Sequence, residues 1–299
     1  MDLYARPQQL VQVTRRRRLN ILAMGEGGPT VVLAAGFLGG PLDWGLVQPF
    51  LARSARVVSF DTPGLGFSDP APGPRTASAI VEDLRAALAA AAIPPPYLLV
   101  GHSAGGVRMH LFAATYPDEV AGLVMIDSVT ADVAQRLPSL ARAMRQERTA
   151  FRRMQRAARI GALTPDTADY KARIGLPRPM LTPAVNQALH EMWTRPSYLR
   201  TAVRESLSLC APPPEQVAAD RRSLGDLPLL VMSAGRAAHE AFVGGETEAG
   251  IWFGMHADIA SLSSRSVRVT VDCRHNIPVE QPRAVTSAVE QVLAMVSAA

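Results

Sequence analysis

The sequence predicts an α/β fold with a mostly parallel central sheet, helices on both faces and a helical segment inserted between core strands. Three observations carry this. From Thr30 to Asp127, apolar strand-like runs alternate with helical patterns, the rhythm of a sheet built from strand–helix–strand units. The pentapeptide Gly101-His102-Ser103-Ala104-Gly105 joins the apolar run Tyr97-Leu98-Leu99-Val100 to a stretch of helical composition, Gly106 to Ala114. The β rhythm then stops at about Val129 and resumes only at Leu227.

The elements follow in order. Leu10-Val11-Gln12-Val13 and Leu19-Asn20-Ile21-Leu22 flank Arg15-Arg16-Arg17-Arg18 and predict a hairpin with the basic run at its turn, in solvent. Thr30–Ala34 is a buried strand type, residues 44–53 look helical, and Arg56–Phe60 is the next strand. Ile80, Leu84 and Leu88 recur at helical spacing within Thr76–Ala92, and Pro94-Pro95-Pro96 stops that helix. Gly122–Asp127 is a buried strand ending in a carboxylate. Between Val129 and Ser223 lie Arg-rich, Met-bearing helical segments separated by prolines. We read residues 1–128 and 224–299 as the two parts of one core and 129–223 as a helical cap. The core closes with Leu227–Ser233, Ser266–Val271 and a final helix from Pro282.

Composition narrows the function classes. With 48% hydrophobic and 19% charged residues over 299 positions, the chain is globular in balance, and it has no apolar run of the roughly 20 residues a membrane span needs. The net charge of +5 is almost wholly arginine, Lys171 being the only lysine. The basic run has no aromatic interleaving or extended basic face, so no nucleic-acid role is expected. Cys210 and Cys273 form no CxxC, so no disulfide framework or zinc cluster is expected. His239-Glu240 is followed by Val243 rather than the histidine of a zinc helix. The N-terminus lacks a basic start followed by an apolar segment, which reads as cytoplasmic. The oligomeric state is left open.

A serine between glycines on a strand-to-helix turn has its hydroxyl lifted above the sheet edge, at a helix N-terminus that favours a developing anion. Such a hydroxyl needs a general base and a group to orient that base. Of six histidines, only His275 lies just beyond the last predicted strand.

The chain resembles the α/β-hydrolase family, and especially its esterase-like branch with a helical cap. The matching pieces are Ala35-Gly36-Phe37-Leu38-Gly39-Gly40 with Asp43-Trp44, then Asp61-Thr62-Pro63-Gly64-Leu65-Gly66-Phe67-Ser68-Asp69. They continue with the Gly101–Gly106 elbow and with His275-Asn276-Ile277 followed by Glu280-Gln281-Pro282. The resemblance implies Ser103 as nucleophile, His275 as base, and an oxyanion hole from the backbone N–H groups of Phe37 and Ala104. The family often carries its acid in the loop after the strand matching Leu229–Ser233, where this chain has Ala234-Gly235-Arg236-Ala237-Ala238-His239-Glu240. Asp127 occupies an alternative family position and is the preferred acid, with Glu240 in reserve. The turn from Asp61 to Asp69 reads as structural.

The leading expectation is a cofactor-independent serine hydrolase acting through an acyl-enzyme on a small, mostly apolar carboxylic ester, thioester or lactone. Serine at the elbow argues against the dehalogenase and epoxide hydrolase branches, which use aspartate there. Acyl transfer or perhydrolysis is one alternative, and a non-catalytic ligand-binding member of the fold is another.

Overall fold

The computed structural model describes residues 2–164, 167, 181–235 and 245–297. The strands are β1 (Gln9–Thr14), β2 (Arg17–Met24), β3 (Thr30–Ala34), β4 (Val57–Phe60), β5 (Tyr97–His102), β6 (Val120–Ile126), β7 (Leu229–Ala234) and β8 (Ser266–Val271). They form one eight-stranded sheet in the order β1-β2-β4-β3-β5-β6-β7-β8. β1 and β2 form an antiparallel hairpin, and β2 runs antiparallel to β4. All other pairings are parallel.

Alternation sets the layers. In β5, Leu98 and Val100 face the cluster that holds Trp44, Leu51 and Val289, while Tyr97 and Leu99 face the cluster that holds Leu84, Phe112 and Trp252. Both sheet faces are therefore covered, which is why the central strands read as continuous apolar runs. On the Leu99 side lie α2 (Ala77–Ala90) and α3 (Ala104–Thr115). Thr76 caps α2 by accepting from the Ala79 N–H at 3.2 Å.

The helices continue with α4 (Val133–Arg136), α5 (Pro138–Arg159), α6 (Pro183–Trp193), α7 (Pro196–Cys210) and α8 (Pro214–Ala219), all between β6 and β7. The sequence suggested that prolines separate the segments here. Pro138, Pro183, Pro196 and Pro214 do so by opening helices, where a missing N–H costs nothing and the fixed φ is already helical. Phe151, Met154 and Leu199 of this insertion gather Phe37 and Leu38 against them, and Met192 and Tyr198 gather Leu38 and Phe67.

Two expectations need revision. Residues 44–53 are not one helix but a 3-10 turn, Pro41–Trp44, followed by the single turn Gln48–Leu51. The arginine run sits at the hairpin turn as expected, with Arg15, Arg16 and Arg18 exposed and Arg17 half-buried. Arg15 and Arg16 make the hairpin turn, Arg17 grips Asp83 through both terminal nitrogens at 2.8 and 2.7 Å, and Arg18 pairs with Asp69 at 3.1 Å. A further helix, Glu246–Ala260, was not anticipated. Its buried set includes the small Ala249 and the polar His256, while Ile251 and Phe253 are only half-buried, so its apolar stripe is blurred. A short turn, Ile277–Glu280, and the helix Pro282–Ser297 complete the chain.

Candidate active site

The strand order reverses at β3, whose neighbours are β4 on one side and β5 on the other. Crevices at the carboxyl ends of strands beside such a reversal are where open parallel sheets place ligands. Here the carboxyl ends of β3, β5, β6 and β8 lead into Phe37, Ser103, Asp127 and His275 respectively.

Ser103 sits between β5 and α3 with φ 52° and ψ −124°, a left-handed conformation that L-residues adopt only at a cost. Its backbone is pinned because its N–H donates to the Ile126 carbonyl at 3.0 Å, tying the elbow to β6. The glycines around it are steric requirements. A Cβ on Gly105 would lie 2.2 Å from the Ala34 carbonyl oxygen, and one on Gly101 would lie 2.5 Å from the Gly106 Cα.

Asp127, directly after β6, has φ 43° and is fully buried. Its N–H donates to the Met232 carbonyl at 2.7 Å. Oδ1 accepts the Ala234 N–H at 3.0 Å and the Trp252 indole N–H at 3.4 Å, which leaves Oδ2 to accept His275 Nδ1–H at 2.6 Å. That bond leaves His275 Nε2 as an acceptor, and the Ser103 hydroxyl lies 3.0 Å from it. The Trp252 ring stands edge-on to the His275 ring, with 5.5 Å between centroids and planes at 88°. Serine, histidine and aspartate thus form one hydrogen-bonded chain, open on the serine side, where the His275 side chain is 20% exposed.

The residues expected for the oxyanion hole lie together. Phe37 and Ala104 line a common cavity, and a Cβ on the adjacent Gly36 would come 3.1 Å from the Ser103 Cβ. A second cavity runs beneath the insertion past Leu38, Asp43, Phe67, Met192 and Trp193. Trp44 and Trp252 are buried core rather than cavity lining. The reserve acid, Glu240, lies outside the described residues, as does His239.

Three groups near the site escaped the sequence reading. His102 is not merely a neighbour of the nucleophile. Its Nε2–H donates to the His275 carbonyl at 2.8 Å, and burial holds its pKa down to about 4, so the ring stays neutral. His256 bridges Ser233 Oγ at 2.7 Å and the Ser128 carbonyl at 3.0 Å, fixing the turn that carries Asp127. Arg108 is buried on α3, and an arginine within that otherwise apolar helix was the signal available in the sequence. For the histidines there was none, because their partners, the carbonyls of His275 and Ser128 and the Ser233 hydroxyl, are distant in sequence.

Comparison with known proteins adds the lineage. The profile of the alpha/beta hydrolase fold matches residues 29–177, which hold β3 through β6 and the elbow. The chain belongs to the α/β-hydrolase fold family. Within it, this hydrolase-fold chain is similar to the uncharacterised protein YqjL of Bacillus subtilis (strain 168), 26% identical over 270 residues that cover 90% of this chain and 85% of that protein. It is 40% identical to the uncharacterised protein C23C11.06c of Schizosaccharomyces pombe over only 82 residues, 27% of this chain and 15% of that protein. In three dimensions it is similar to a thermophilic esterase from Thermogutta terrifontis, with a TM-score of 0.66 and 22% identity over 97% of this chain and 99% of that one. At that identity the likeness is one of fold.

Proposed function

We propose that this α/β-hydrolase is a serine hydrolase of small carboxylic esters, and of the chemically similar thioesters and lactones, working through an acyl-enzyme on Ser103. The observation that supports this reading best is the unbroken chain from Ser103 Oγ through His275 to Asp127, at 3.0 and 2.6 Å. Ser103 Oγ attacks the carbonyl carbon while its proton passes to His275 Nε2. Asp127 Oδ2, accepting from Nδ1–H, stabilises the imidazolium that results. The carbonyl oxygen becomes an anion facing the N–H groups of Phe37 and Ala104, each such donor contributing about 3 kcal/mol to barrier lowering. Collapse expels the alcohol, which takes the proton from Nε2. Water then repeats the sequence on the acyl-enzyme and releases the acid and free Ser103.

In this reading residues 129–223 are a cap over the core 1–128 and 224–299, and they shape the apolar walls around Met192 and Trp193. Cys210 and Cys273 are free thiols, which fits the cytoplasmic setting expected from the sequence. Among the described residues no helix is long and apolar enough to cross a membrane.

The experiment is hydrolysis of p-nitrophenyl esters across acyl lengths, with a fluorophosphonate as serine label. Turnover and labelling are expected in the wild type, and both are expected to vanish in Ser103→Ala. A folded wild type that neither turns over nor labels would reject the enzyme in favour of a ligand-binding member of the fold.

A further inference from the structure

The cavity that Phe37 and Ala104 line is also lined by Arg75, Arg108 and Glu205. These three charged side chains are unusual in their burial, with Arg75 3%, Arg108 4% and Glu205 3% exposed. Arg108 is fully engaged. It donates one terminal nitrogen to Glu205 Oε1 and the other to the Ala35 carbonyl at 3.3 Å. That pair is neutral as a unit, so the charge of Arg75 is left over. Asp83, the next carboxylate to act on Arg75, is already held by Arg17. Desolvation accordingly presses the Arg75 pKa down, although a guanidinium keeps its proton.

The atoms of Arg75 that lack a hydrogen-bond partner among the described residues are Nε and Nη2. These two form one edge of the guanidinium plane, the edge that meets a carboxylate side-on. The protein uses the same edge elsewhere for that purpose. Arg85 Nε and Nη2 reach Glu119 at 2.9 and 2.6 Å, and Arg18 Nε and Nη2 reach Asp69 at 3.1 and 3.4 Å. Those pairs are partly exposed, whereas the Arg75 edge is shut away from bulk water beside the backbone proposed to receive the ester oxygen.

We infer that this cavity is a carboxylate subsite, in which Arg75 binds an acidic group carried by the ester side-on. The inference rests on the serine hydrolase reading and adds a charged group to the mostly apolar substrate that the sequence suggested. A cationic ligand is disfavoured, since two arginines face a single glutamate. Glu205 Oε2, also without a partner among the described residues, is an acceptor for a hydroxyl or a water beside the bound carboxylate.

The test compares matched esters. The p-nitrophenyl hemiester of glutaric acid is set against p-nitrophenyl valerate for acid on the acyl side, and 4-acetoxybenzoate against phenyl acetate for acid on the alcohol side. In at least one pair the charged ester is expected to have the higher kcat/KM by about tenfold or more, and that ratio is expected to collapse in Arg75→Met. Arg75→Lys, which keeps the charge without the planar edge, is expected to fall between. In parallel, glutarate is titrated calorimetrically into the wild type and both variants, a reading that requires no turnover. Saturable binding to the wild type, weakened about tenfold or more in Arg75→Met, supports the subsite even if no ester is hydrolysed. No charge preference in either pair, or a preference or glutarate affinity that Arg75→Met and Arg75→Lys leave unchanged, overturns it while the hydrolase reading stands. Because Arg75→Met removes a buried unpaired charge, its melting temperature is expected to match or exceed that of the wild type, so a loss of binding cannot be laid to unfolding.

Discussion

Asp61 and Asp127 stand in matching places, each the first residue past a buried parallel strand, β4 and β6, and each shut from solvent. Their surroundings differ. Asp61 is walled in by backbone, since a Cβ on Gly66 would lie 2.1 Å from its carboxyl and one on Gly40 2.6 Å away. Oδ2 accepts from the Phe67 N–H at 3.0 Å and from Asn20 at 2.8 Å, all neutral donors. Burial therefore wins over hydrogen bonding, and its pKa is pushed up to about 6. Asp127 instead ends a chain of donors that leads through an imidazole to a hydroxyl. Burial makes a carboxylate costly; its partner decides whether that cost serves chemistry or only the closing of a turn.

The comparison breaks most sharply at Asp127. Asp127→Asn presents an amide to His275 and favours the wrong tautomer, so kcat on p-nitrophenyl esters should fall about 10³- to 10⁴-fold with the circular dichroism spectrum unchanged. If activity survives that change, the base is oriented by another acid. A smaller effect is expected at His102, which positions the His275 loop through one hydrogen bond. His102→Phe should lower kcat a few-fold with KM unchanged and cost about 1 kcal/mol in urea unfolding.

Asp61→Asn should have the smallest effect on turnover, within about twofold, and should be read in stability instead. A carboxyl with a raised folded pKa binds more protons in the folded state between about pH 4 and 6, so stability falls as pH rises through that window. His102, held down to about 4, has the opposite sign, and stability rises with pH between about 4 and 6.5. In the wild type the two partly cancel. Removing Asp61 should uncover the His102 slope, with stability on the order of 1–2 kcal/mol lower near pH 4 than near pH 6.5, measured by denaturant titration across that range. A wild type and an Asp61→Asn variant with the same pH profile would show that Asp61 does not titrate there.

Much of this was legible in the chain. The continuous apolar runs, the elbow pentapeptide and the position of His275 depend on local pattern, and the strands they imply run close to the observed boundaries. Asp127 was reached through the family resemblance, which offers the end of the strand after the elbow strand as a place for the acid, with Glu240 held in reserve. What the sequence concealed are contacts made by closure of the sheet. The grip of His102 on the carbonyl of residue 275, the indole of Trp252 on Asp127, and the meeting of Arg75 with Arg108 and Glu205 join residues separated by roughly 30 to 170 positions. The partners of Arg17 and Arg18 were hidden for the same reason, since Asp83 and Asp69 are adjacent to the run only after folding.

Ser103 and Asp127 both sit at positive φ, 52° and 43°, each costing about 1–2 kcal/mol for an L-residue. Against a typical net stability of about 5–15 kcal/mol, that is an appreciable share held in two residues. Both ends of the proposed relay are thus held in strained backbone, as Leu38 and Ala92 also are. At Asp127 the three hydrogen bonds to the buried carboxylate offset that strain, whereas at Ser103 a glycine would relieve it, so retention of serine there in a gene copy released from this activity would be a record of selection on the hydroxyl.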